Sequence, residues 1–376
     1  VIGIDYTPAY EQGGGIGRYV RELIGALAAI DHETEYRLFV AGATLGKLPP
    51  PPGINFHWTP TRLSPKWTAR LWQRARLPFP VDRITGQIKL FHATDFTLPP
   101  VAPGTKTLLT VHDLSFVRAP ETASPNLRAY LNSVVPRSVQ RADHILADSQ
   151  ATKDDLIALY RVAPEKVTVL LSGVSERFAP ASIYQIRDVR KKYKIGDGRY
   201  ILSVGTVQPR KNYERLIRAL AALPPSCADV KLVIAGGKGW LQDPIHQAVT
   251  ELNLEDRVQF LGFADDMDLP TLYSGATLLA YPSLYEGFGL PILEAFRCRT
   301  PVLTSANSSL SEVSGEAAVI VDPYSVESIR DGLTRLLTES ALRVSLIARG
   351  VLQAKPFTWE RAARELRAVY DRMLTK

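Results

Sequence analysis

Short β-branched and aliphatic runs alternate along this chain with longer stretches whose apolar positions recur at helical spacing, the pattern of parallel α/β units. Residues 1–5, 36–41, 108–112 and 144–147 read as strands of one sheet. Residues 200–204, 230–235, 258–261, 277–281 and 301–304 read as strands of a second, each followed by a helix or loop. Two α/β domains follow, each a doubly wound parallel sheet. The expected division is a first domain at 1–175, a linker region at 176–198 with Pro180 and a charged helical stretch at 186–194, and a second domain at 199–355. Residues 356–376 then close the chain as a helix, with Ala362, Leu366, Val369 and Met373 at helical spacing.

Length agrees with two cores, because 376 residues exceed what one hydrophobic core usually holds. A hydrophobic content of 45% with 22% charged residues is globular composition and sets aside disorder and fibrous repeats. Apolar runs such as Leu278–Tyr281 and 317–321 fall far short of the roughly 20 residues that a membrane-spanning helix needs. The chain opens directly on a strand pattern, with no basic-then-apolar leader, so a cytoplasmic location is expected. Cys227 and Cys298 lack metal-type spacing and fit a reducing compartment. A net charge of +7 suits nucleic acid, anionic lipid or a phosphorylated ligand. No nucleic-acid-binding module is recognisable, so that partner is not expected.

The most informative stretch runs from Pro282 through Glu286, Gly287, Phe288, Gly289, Leu290 and Pro291 to Glu294 and Ala295. It follows a predicted strand and opens a predicted helix. Gly287 and Gly289 let the backbone approach a ligand, and Pro291 suits the first helical position, where an N–H would have no partner anyway. The remaining amides and the positive end of the helix dipole make a site for an anion such as a diphosphate. Glu286 before the helix and Glu294 about one turn inside it offer acceptors for paired hydroxyls at two depths along one ligand. Arg210 and Lys211 follow another predicted strand by a short turn, where a planar fork and a compact charge can neutralise the same diphosphate. His112 ends a strand at the carboxyl edge of the first sheet, the edge where open α/β sheets bind ligands. Asp113 is placed either to orient it or to cap the next turn.

Gly13, Gly15 and Gly17 with Arg18 do not complete the dinucleotide fingerprint G-x-G-x-x-G, which weakens a dehydrogenase reading. Arg18 and Tyr19 read as helix surface. Asp266-Met267-Asp268 looks like a metal-binding D-x-D, but it stands before an apolar helical pattern, where acidic residues stabilise the dipole. Arg62, Lys66, Arg70, Arg74 and Arg76 interleave with Trp67, Leu71 and Trp72. Two readings stand for that stretch: contact with an anionic membrane, or a solvated basic surface with its tryptophans packed inward.

The Glu286-to-Glu294 stretch resembles the E-x7-E motif of retaining glycosyltransferases of glycosyltransferase family 4. The likeness extends over Gly13 to Tyr19, Val111-His112-Asp113, Gly173-Val174, Val204-Gly205, Pro209-Arg210-Lys211-Asn212 and Phe357-Thr358-Trp359. It implies the GT-B fold, two doubly wound Rossmann-like domains facing across a cleft, with the C-terminal helix packed back on the N-terminal domain. It implies a retaining hexosyltransferase that takes a hexose from a nucleotide-sugar donor, UDP-glucose or GDP-mannose, to a saccharide or lipid-linked acceptor in bacterial polysaccharide synthesis. Neither a cofactor nor a metal ion is expected. By the same resemblance Glu286 contacts donor-sugar hydroxyls, the amides of Phe288 to Leu290 hold sugar and phosphate, and Glu294 binds the ribose. His112 lies beside the sugar, and Gly15 and Gly205 approach the donor closely. One departure is visible: relatives place an Arg directly after the strand glycine, where this chain has Thr206. From the residues alone, a non-catalytic nucleotide-sugar-binding protein, a sugar-nucleotide epimerase or a phosphorylase on the same architecture stay open.

Overall fold

The structure, a computed structural model, describes residues 1–375, and its chain divides into two compact units. The first comprises residues 1–114, 129–173 and 358–376, and the second comprises 115–128 and 174–357.

In the first unit seven parallel strands stand in the order β3-β2-β1-β4-β5-β6-β7. They are β1 (Ile2–Asp5), β2 (Tyr36–Ala41), β3 (Phe56–Thr61), β4 (Leu90–Ala93), β5 (Lys106–Val111), β6 (His144–Ala147) and β7 (Val167–Val169). The strand order reverses between β1 and β4, so the loops leaving those strands part and open a crevice at the carboxyl edge. The amphipathic helix Gly15–Ile30 buries Tyr19, Val20, Leu23, Ile24 and Leu27, one stripe at helical spacing. Against it packs the terminal helix Trp359–Thr375, which buries Trp359, Ala362, Leu366, Val369 and Tyr370. Its Arg367 pairs with Asp31 at 2.6 Å, and Tyr370 Oη lies 2.8 Å from His92 Nδ1.

The second unit holds six parallel strands in the order β10-β9-β8-β11-β12-β13. These are β8 (Tyr200–Val204), β9 (Lys231–Ala235), β10 (Val258–Gly262), β11 (Leu278–Tyr281), β12 (Val302–Ser305) and β13 (Ala318–Val321). Here the reversal falls between β8 and β11. Ile201, Leu232, Ile234, Leu278 and Leu303 from the strands meet Leu216, Leu220, Leu333 and Leu336 from flanking helices in one apolar core.

Three segments depart from the expected layout. Residues 176–198 are packed within the second unit: the helix Ile183–Lys192 is fixed there by Arg190, which donates to the carbonyl of Gly275 at 3.1 Å. Residues 115–128 also belong to that unit, where the Trp240 indole donates to the carbonyl of Thr122 at 2.8 Å. The third is the set of strands that periodicity did not single out, β3, β4, β7 and β13. β3, β7 and β13 are edge strands, β3 carrying Pro60, which edge positions tolerate, and the apolar run of the central β4 is broken by His92.

Candidate active site

The loops that leave β8 and β11 flank the reversal point of the second sheet, and they carry most of the residues singled out from sequence. After β11 the chain runs through Glu286 to Gly289, which caps the helix Leu290–Arg297 with no side-chain partner. Gly289 has φ +119°, a conformation that disfavours side chains, and an added Cβ would come within 3.1 Å of Leu310. Pro291 is therefore the second helical residue, not the first, and the amides at this start have no helical carbonyl behind them. Ser309 fastens the loop by donating to the carbonyls of Glu286 (2.9 Å) and Phe288 (2.8 Å), while the Glu286 amide donates to Ser308 at 2.8 Å.

After β8, Pro209–Lys211 form a single 3-10 turn that brings two cations onto Glu286. Arg210 donates to Glu286 Oε2 at 2.7 Å and to the Tyr285 carbonyl at 2.8 Å. Lys211 Nζ lies 2.7 Å from Glu286 Oε1 and 2.6 Å from the Tyr281 hydroxyl. Burial alone would push the Glu286 carboxyl up, but the charges of Arg210 and Lys211 outweigh it and hold the group down at about 2. The carboxylate is thus ionised at neutral pH, and the three side chains together carry one net positive charge. Gly205, at φ +147°, leaves the space that Lys211 crosses: a Cβ there would sit 2.8 Å from Lys211 Cε.

Glu294 is buried on the helix, 2% exposed, and accepts from the Tyr273 hydroxyl at 2.7 Å. Gly287 and Phe288 are buried in the loop, and Leu290 is half-buried. Asn212 was quoted in the motif without a role. It adopts the left-handed conformation and donates to the carbonyls of Pro282 (3.0 Å) and Pro323 (2.6 Å), which ties the Arg-Lys turn to the Glu286 loop. Asn is one of the few residues at home there.

His112 and Gly15 lie in the first unit. β5 ends at Val111, so His112 is the first loop residue, buried beside Tyr19 with ring centroids 5.1 Å apart. Its Nδ1 lies 2.7 Å from Asp148 Oδ2, and its Nε2 lies 2.9 Å from the carbonyl of Thr94. Burial works against a charged ring, but Asp148 prevails and the pKa rises to about 9. His92, buried with hydroxyl partners on both ring nitrogens and no carboxylate, is pushed down to about 3 by burial and by the charge of His112. The His112 imidazolium therefore donates from both nitrogens, and Asp148, not Asp113, orients it. Asp148 was missed although it directly follows β6 at the same carboxyl edge. Gly15 begins its helix exposed, with open space around a would-be Cβ, whereas Gly17 packs tightly on the Gln12 carbonyl. Tyr19 is buried against His112 and Trp359, not on the helix surface.

Asp268 is taken by Lys192 at 2.5 Å and by the Tyr193 hydroxyl at 2.7 Å, so its carboxylate serves an ion pair instead of capping the helix Leu269–Gly275. Asp266 faces Arg177 at 3.8 Å. Among the described residues no group of three or more His, Cys, Asp or Glu is arranged to hold a metal ion.

Two parallel doubly wound sheets, one of them presenting a cation cluster and a glycine-capped helix start at its reversal point, define the Rossmann-like pair of the GT-B class. Residues 13–178 match Glycosyltransferase Family 4, and residues 185–352 match Glycosyl transferases group 1. O-antigen chain mannosyltransferase B of Escherichia coli is 34% identical over 272 residues, 72% of this chain and 71% of the relative. D-inositol 3-phosphate glycosyltransferase of Salinispora arenicola (strain CNS-205) is 30% identical across 97% of this chain and 88% of the relative. Sucrose-phosphate synthase from Thermosynechococcus elongatus shares the fold, with a TM-score of 0.78 at 22% identity, covering 100% of this chain and 99% of that one. The chain belongs to glycosyltransferase family 4.

Proposed function

We propose that this glycosyltransferase moves a hexose, with retention and without a metal ion, from a nucleotide-sugar to a saccharide or lipid-linked acceptor in polysaccharide assembly. The observation that carries the reading is the buried Glu286–Arg210–Lys211 cluster beside the open helix start. A diphosphate leaving group needs fixed positive charge where its own charge develops, and such preorganised charge is worth most in a site shielded from water. Backbone amides at Phe288 to Leu290 and the cations of Arg210 and Lys211 would supply it. Glu286 would take sugar hydroxyls and Glu294 the ribose.

Retention by double displacement requires a free carboxylate nucleophile. Glu286, clasped by two cations, is a weak one. His112, with acceptors on both nitrogens, is no base. The acceptor hydroxyl would therefore attack from the side that the diphosphate leaves, and a phosphate oxygen would take its proton. UDP-glucose and GDP-mannose both fit this chemistry, and the name of the Escherichia coli relative favours a mannosyl donor. Two free, buried cysteines suit a cytoplasmic location.

The test is a thermal-shift screen of UDP-, GDP- and ADP-sugars in EDTA, because a ligand that binds only the native state raises its melting point. The donor that binds is then mixed with saccharide and lipid-linked acceptors, and the anomeric configuration of the first product is read by proton NMR. A retained linkage in EDTA is expected. An inverted linkage, or a new sugar nucleotide formed without acceptor, would overturn the proposal.

A further inference from the structure

We infer that the exposed segment Arg62 to Phe79 of the first unit is a docking surface for an anionic lipid bilayer. The inference relies on the glycosyl-transfer reading only for the purpose of the surface, not for its existence.

Charge distribution is the first observation. Residues 62–79 contain five Lys or Arg and no Asp or Glu, and the rest of the chain is left with 40 basic against 38 acidic residues. Five of the seven net positive charges therefore reside in this one segment. Arg62, Lys66, Arg70, Arg74 and Arg76 are exposed, with no acidic neighbour in sequence to neutralise them.

The second observation is apolar. Of the seventeen exposed large apolar side chains among the described residues, four fall here: Leu63, Trp67 (53% exposed), Leu77 and Phe79. Such a concentration within one short stretch marks an interaction surface, whereas single exposed residues do not. The alternative of inward-packed tryptophans holds for one of the two. Trp72 is half-buried, tilted against Phe39, with its indole donating to the Phe79 carbonyl at 2.9 Å. Trp67 faces out, with the Arg70 guanidinium 4.9 Å from its ring centroid. The short helix Pro65–Ala69 and the turn Arg70–Arg74 hold these groups in order, and Phe79 is tied back to Trp72.

Basic side chains alone would suit any polyanion. Interleaved with outward indole, phenyl and leucyl groups they match a bilayer, whose anionic headgroups meet the cations while the acyl boundary takes the apolar groups. No helix among the described residues is long and apolar enough to cross a membrane, so the contact is peripheral. β3 ends at Thr61, so the surface follows directly from the carboxyl edge of its sheet, the edge at which an acceptor would be used.

Trp67 is the only exposed tryptophan among the described residues and serves as the reporter. The full chain is sedimented with vesicles of phosphatidylcholine alone and of phosphatidylcholine with one-third phosphatidylglycerol, and its emission is recorded with and without brominated acyl chains. Binding to the anionic vesicles only, with a blue shift and quenching that Trp67→Phe abolishes, is expected. Replacing Lys66, Arg70 and Arg74 together with Ser should weaken partitioning about a hundredfold, at roughly fivefold per cation. Donor binding in solution should be unchanged in both variants, which separates this inference from the reading of the active site. Absence of binding at low salt would overturn it. So would binding with unaltered Trp67 emission, since that describes adsorption of a generic polyanion.

Discussion

Replacing Glu286 with Gln removes the only negative charge of the cluster while keeping its shape. In the folded chain the two cations hold the Glu286 carboxyl at about 2, against an ordinary 4.5. At about 1.4 kcal/mol per unit, the ionised form contributes about 3 kcal/mol to stability near neutral pH. Because the folded value is the lower one, that contribution is fully present above 4.5 and is lost as the pH falls toward 2. Near pH 3.5 about 2 kcal/mol should remain. Urea unfolding followed by hydrogen exchange in peptides of the second unit measures the difference where it arises. The expected result is a Glu286→Gln variant less stable by about 3 kcal/mol near neutrality, with the gap narrowing in acid. Equal stability at neutral pH, or a gap that does not change with pH, would mean that Arg210 and Lys211 do not govern this carboxylate.

Three further outcomes follow from the same geometry. Lys211→Ala leaves Arg210 on Glu286, so the fold should persist while kcat falls about a hundredfold or more; equal kcat in the two proteins would remove Lys211 from the mechanism. Gly205→Ala forces a side chain into φ +147° and against Lys211, and should cost about 1–3 kcal/mol of stability and weaken donor binding, read by melting point and titration. Burial disfavours the charged His112 ring, but Asp148 raises its pKa to about 9, so the stabilisation is complete below 6.5 and fades as the pH rises through 9. His112→Asn should be flat over that window, and parallel profiles would show that the ring carries no charge.

The architecture was legible where an apolar run ends at turn residues, even in the four-residue β1 and β6. β2 and β8 were bounded to the residue, because β-branched and aromatic runs end sharply at polar turns. β3, β4, β7 and β13 were not: three of them are edge strands, and the apolar run of β4 is broken by His92, whose burial comes from neighbours distant in sequence. The helix at 183–192 looked like a linker because none of its own residues is buried, and only its contacts with the second unit assign it there. At the site, Glu286, Glu294, Arg210 and Lys211 stood out by type and spacing. The direct clasp of Arg210 and Lys211 on Glu286 did not, nor did the supporting Tyr281, Tyr273, Asn212 and Ser309. Those contacts join segments roughly twenty to a hundred residues apart, and no local pattern encodes them. Asp148 had a usable signal, an acid placed directly after a strand at the ligand edge of a parallel sheet.

The central claim is that main-chain amides at residues 288–290 and the cations at 210 and 211 hold a diphosphate by themselves. Calorimetric titration of the nucleoside diphosphate into the wild-type protein and Lys211→Ala, both in EDTA, tests it directly. Binding by the wild type with a loss of about tenfold or more in the variant is the predicted result. Binding that appears only when a divalent ion is restored, or that is equal in the two proteins, would contradict it.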